Sequence, residues 1–132
     1  MKAFKLMMVA TGMVAALLVC CKKDDPDPHT LNGFWKGKYG IENTYPGSGY
    51  AFLIRADGTI RVFSSAADTN NAFKAEGIYS FLGSRITAQY TYSTKEIYSI
   101  SATVNEKFTF MEGTWGDGDK TSGKGNFFLV KE

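Results

Sequence analysis

The chain has 132 residues, 15 Lys and Arg against 13 Asp and Glu, one histidine and two cysteines. The formal charge of +2 is too small and too dispersed for a nucleic-acid footprint, which needs clustered basic residues. The lone His29 and the adjacent Cys20 and Cys21 all lie in the first 29 residues. The rest of the chain has neither a base for a Ser-His-Asp or Cys-His nucleophile nor the usual ligands for zinc, so no enzyme, metal or cofactor is implied.

In chain order, Lys2 and Lys5 precede an apolar run from Leu6 to Val19, and the run ends at Cys20-Cys21. Fourteen residues fall short of the roughly 20 that a spanning helix needs. A basic n-region, a short apolar core and a terminal cysteine read instead as a secretory signal meant to be cut. Leu18-Val19-Cys20-Cys21 resembles the bacterial lipobox, with Cys21 at the acylated position and Cys20 in the small-residue position before it. Cys20 is the alternative attachment site. The resemblance implies anchoring to the outer membrane by an N-terminal lipid (palmitate among its acyl chains), and several chains suffice for stable attachment.

Residues 22–30 form a tether. Two prolines and a run of charges, Lys22-Lys23-Asp24-Asp25, bury no apolar surface. The Lys-plus-acidic segment is similar to the short signal that comes after the acylated cysteine in Bacteroidota-type surface lipoproteins. It implies display at the cell surface, with a periplasm-facing location as the alternative.

Residues 31–132 have the length of one domain. With both cysteines upstream, the domain has no internal disulfide and depends on its core. Its pattern is period two, broken by glycine and polar clusters, and it predicts eight strands. These are Phe34–Ile41, Tyr50–Arg55, Thr59–Ser64, Phe73–Phe81, Ser84–Tyr92, Glu96–Val104, Lys107–Trp115 and Gly123–Val130. Asp57-Gly58 is a hairpin-turn signal. In the seventh strand the apolar phase slips by one residue between Phe108-Thr109-Phe110 and Met111-Glu112-Gly113, which predicts a bulge near Phe110 or Met111. Asp117-Gly118-Asp119 opens like a calcium loop, but Ser122 and Phe128 stand where that motif wants glycine and glutamate, so a polar hairpin is predicted.

Eight short antiparallel strands predict an all-β, up-and-down barrel, whose closure removes exposed edges. A β-sandwich is the alternative. Small residues recur on the inward faces, at Gly37, Ala75, Gly77, Ala88, Ala102 and Gly113, as a narrow interior requires. Gly33-Phe34-Trp35 resembles the Gly-x-Trp motif that opens lipocalins and other calycins, and the domain as a whole is similar to short lipocalin-like domains of Bacteroidota lipoproteins. The resemblance implies that Trp35 plugs the closed end of the barrel as core. The arginine that packs on this tryptophan from a late strand in that family has no counterpart, since Arg55, Arg61 and Arg85 all come earlier.

Aromatic residues carry the remaining signal: nine Phe, seven Tyr and two Trp lie beyond residue 30. Tyr39, Tyr50, Phe52, Tyr79, Tyr90 and Tyr92 are the candidates to line a ligand cup, offering apolar faces with polar tips. A small apolar or amphipathic molecule is the expected ligand. The other reading is a filled barrel contacting a protein or glycan through the Glu42-to-Gly49 link and the Ser65-to-Asn71 loop. Replacing Cys21 with serine is expected to abolish labelling by a clickable fatty acid, and persistent labelling would move the attachment to Cys20.

Overall fold

The computed structural model describes residues 30–132. The signal segment, Cys20, Cys21 and the tether up to His29 lie outside the described residues. Eight strands succeed one another: β1 (Gly33–Tyr39), β2 (Ser48–Ile54), β3 (Thr59–Phe63), β4 (Lys74–Leu82), β5 (Arg85–Tyr92), β6 (Ile97–Val104), β7 (Phe110–Asp117) and β8 (Gly125–Lys131). Each pairs antiparallel with its neighbours in sequence. β8 returns to β1, from Trp35↔Lys131 to Tyr39↔Phe127, and closes the barrel. With every strand paired on both sides, the architecture is the up-and-down barrel and not the sandwich.

Period-two alternation becomes inside and outside. In β5, Ile86, Ala88 and Tyr90 are buried while Arg85, Thr87 and Gln89 are exposed. Inward residues from all eight strands, among them Phe52, Ile60, Val62, Ile100, Met111, Phe127 and Leu129, form one core. Three inward glycines let the wall bend this tightly. A Cβ on Gly37, Gly77 or Gly113 would fall well inside contact distance of the carbonyl oxygen of Phe128, Gln89 or Ser101 respectively. Each also lies opposite a large inward side chain: Gly37 by Tyr50, Gly77 by Tyr90, Gly113 by Phe127. The glycines therefore serve both close backbone approach and the volume of the aromatic rings.

One end is plugged. Trp35 is fully buried and its indole N–H donates to the Leu31 carbonyl at 2.9 Å. A late-strand cation does lie on this ring, contrary to the expectation from the arginines alone. The ammonium of Lys131 sits 5.9 Å from the ring centroid and donates to the Thr30 carbonyl, so a lysine from β8 fixes the start of β1.

The turns obey local chemistry. Asp57 accepts from the Thr59 N–H at 3.0 Å and Gly58 takes φ +88°, making the β2–β3 turn at the predicted dipeptide. The hydroxyl and amide of Thr59 hold the Asp57 carboxyl below the usual carboxylate range. The bulge expected in β7 is absent: β7 stays in register with β8 from Phe110↔Val130 to Trp115↔Gly125. The slip of phase is made in the preceding link, where Phe108 adopts φ +55° and its N–H closes a turn onto Asn105 at 3.0 Å. Likewise β1 stops at Tyr39 and not Ile41, because Ile41 is engaged with the Thr44 hydroxyl in the next link.

Gly77→Ala is expected to destabilise the barrel by about 1–3 kcal/mol, because backbone must move to admit the methyl. Urea unfolding should register this as a lower midpoint at unchanged slope.

Candidate functional site

The end opposite Trp35 is open. It carries the β1–β2, β3–β4, β5–β6 and β7–β8 links, and between them lies a cup of about 290 Å³. Its lining is Tyr39 (β1), Tyr50 (β2), Tyr90 and Tyr92 (β5), Tyr98 (β6) and Trp115 (β7), with Ser64, Phe73, Thr94 and Glu96 at the loops. The strand residues arrive by alternation, as the last or first inward positions at this end of their strands.

These rings form a continuous circuit. Tyr50 meets Tyr39 at 5.1 Å between centroids, Tyr39 meets Trp115 at 5.8 Å, and Trp115 meets Tyr98 at 5.7 Å. Tyr98 meets Tyr92, and Tyr92 meets Tyr90, each at 5.9 Å. A hydrogen bond between the Tyr90 and Tyr50 hydroxyls closes the circuit. The ring contacts are tilted or edge-to-face, the geometry favoured by the aromatic quadrupole.

Tyr50 and Tyr90 form the floor, 5% and 2% exposed. Burial pushes both phenols well above the ordinary tyrosine range, and neighbouring tyrosines add to the rise at Tyr50. Tyr92 is raised for the same first reason, with Tyr39, Tyr98 and Glu96 contributing. Tyr50, Tyr90 and Tyr92 are therefore neutral phenols at any physiological pH.

Its rim is tied down by hydrogen bonds between links. The Trp115 indole N–H donates to the Gly40 carbonyl at 3.0 Å, across the intervening β8. Ser99, buried, donates to the Gly118 carbonyl at 2.6 Å. Ser64 and Phe73 pair at the neck of the long β3–β4 loop, and within it Asp68 accepts from the Asn71 side chain at 2.7 Å. That pairing keeps the Asp68 carboxyl low.

Four of the six predicted lining residues meet here: Tyr39, Tyr50, Tyr90 and Tyr92. The other two do not. Phe52 is fully buried beneath the floor, packed on Tyr50 at 4.9 Å and Phe127 at 5.6 Å. Tyr79 lies toward the plugged end, where its hydroxyl donates to the Arg55 carbonyl at 2.6 Å. Tyr98 and Trp115 were missed as lining residues although their inward phase was legible; their height in the barrel was not. Glu76 points outward to Arg55 and Arg61 at 3.3 and 3.1 Å. Slight burial opposes the shift, but the hydrogen bonds from Arg61 and Arg55 hold its carboxyl below its usual value.

No protein-family model, curated protein or solved structure matches this chain.

The hydroxyl pair gives a specific expectation. Tyr50→Phe leaves the buried Tyr90 hydroxyl without its partner and should cost about 1–3 kcal/mol, whereas Tyr50→Phe with Tyr90→Phe should recover much of the loss. Because both folded-state values are raised, their contribution to stability is complete below about pH 10 and is lost as pH rises from there. Denaturant midpoints across that range should fall less steeply in the double variant.

Proposed function

We propose that the protein is a lipid-anchored envelope lipoprotein whose lipocalin-like barrel binds a small amphipathic molecule without catalysing a reaction. The observation that carries this reading is the open cup, walled by five tyrosines and a tryptophan above a sealed core. Apolar walls with a few fixed polar groups are the ordinary composition of a small-molecule site. At about 290 Å³ the cup sits at the lower bound of such sites, so the ligand is compact. The cross-linked rim keeps the cup open before a ligand arrives, which lowers the ordering cost of binding.

The calycin part of the reading is supported by the Gly33-Phe34-Trp35 opening and by Trp35 at the plugged end under a cation from the last strand. Lysine takes the role that arginine has in that family. Lipidation at Cys21 and display at the cell surface rest on the N-terminal sequence alone.

A second reading, an interaction module for a surface protein or glycan, draws on exposed aromatics around the same mouth. Tyr45 in the β1–β2 link is 92% exposed and Phe73 at the cup edge 63%.

The decisive experiment is native mass spectrometry of the protein extracted from its own host in mild detergent. A bound small molecule is expected, and its displacement should change the fluorescence of Trp115 but not of a Trp115→Phe variant, in which only the buried Trp35 remains. A bare protein mass, with no fluorescence response across lipid, haem and amphiphile probes, would remove the cup reading in favour of the interaction module.

A further inference from the structure

The chemistry of the cup narrows the ligand further, on the footing that the cup is a binding site. Its walls are aromatic rings in mutual contact, tilted or edge-to-face, from Tyr50 through Tyr39, Trp115, Tyr98 and Tyr92 to Tyr90. Among the described residues, cations lie over Phe34 (Lys36) and Trp35 (Lys131), both away from the cup. The circuit of six electron-rich rings is thus unoccupied by the protein's own cations.

One charged side chain lines the cup, and it is an acid. Glu96 stands at the rim beside Tyr98, whose hydroxyl lies 3.5 Å from a Glu96 carboxylate oxygen. Asp117 and Lys124, the other charges that act on Tyr98, are bonded to each other at 3.1 Å and largely cancel.

We infer that the cup selects a compact organic cation, an amine or quaternary ammonium group, held among Tyr39, Tyr92, Tyr98 and Trp115 with Glu96 as its counter-ion. An aromatic enclosure attracts such a cation through the ring quadrupoles, most strongly when the ion sheds its water. A quaternary ammonium head needs no hydrogen-bond acceptor, which suits a wall of rings whose floor hydroxyls already bond to each other. A neutral guest of the same shape gains only the apolar contact, and an anion meets both Glu96 and the negative ring faces.

The test uses the full-length protein in detergent and three isosteric probes: choline, the neutral alcohol in which carbon replaces its nitrogen, and tert-butylacetate. Titration followed by Trp115 fluorescence and calorimetry should find choline bound about tenfold tighter than the alcohol, and tert-butylacetate weakest. Glu96→Gln, at an exposed position, should weaken choline about twofold to fivefold more than it weakens the alcohol. Equal or tighter binding of the alcohol or the carboxylate would overturn the cation preference while leaving the cup a binding site. Silence from all three probes, together with a bare native mass, would overturn the binding cup itself.

Discussion

A barrel of eight short strands must bend its wall sharply, and here the bend depends on backbone pressing against backbone at Gly37, Gly77 and Gly113. At each, the neighbouring strand's carbonyl occupies the space a Cβ would take. These glycines sit on β1, β4 and β7, so the tight points are spread around the circumference. Everything inside is arranged around the room they release: Tyr50, Tyr90 and Phe127 each lie directly across from one of them. Closure then leaves no unpaired strand, which is how a domain without internal cysteines holds together on packing and hydrogen bonds.

The two ends of the barrel use aromatic residues in opposite ways. At the plugged end Trp35 is buried to completion, satisfied by the Leu31 carbonyl and covered by Lys131, so its cation-binding face is already taken. At the open end Trp115 spends its N–H on the rim at Gly40 and keeps its ring at the cup wall. The difference lies in what meets the ring, the Lys131 ammonium at the plugged end and the Tyr39 and Tyr98 rings at the cup wall.

The open end also explains why the floor is robust. The Tyr50 and Tyr90 hydroxyls satisfy each other, so the most buried polar atoms of the cup need no ligand to stay paired. Under the proposed binding function, a guest would meet preformed ring surfaces and Glu96 at the rim, and its selection would rest on charge and shape more than on hydrogen-bond readout.

Much of the fold was legible in the chain. Alternation in Arg85–Tyr92 or Ile97–Val104 assigns each side chain to the inside or outside, because strand geometry has a strict period of two. The Asp57-Gly58 turn comes from an equally local rule, and the core position of Trp35 is what the resemblance of Gly33-Phe34-Trp35 to the calycin opening implied. Height along the barrel does not. Tyr79 and Tyr90 share the inward phase, yet one bonds Arg55 toward the plugged end and the other floors the cup. The strands are tilted and staggered, so height depends on the register of every pairing around the circle, and that is a long-range property. The position of the phase slip in the β6–β7 link, the lysine over Trp35 and the joining of Tyr98 and Trp115 to the other rings were decided in the same way. The sequence determined which residues face inward and which segments turn. Only tertiary closure decided which inward residues share an end, because their heights depend on the tilt and stagger of all eight paired strands.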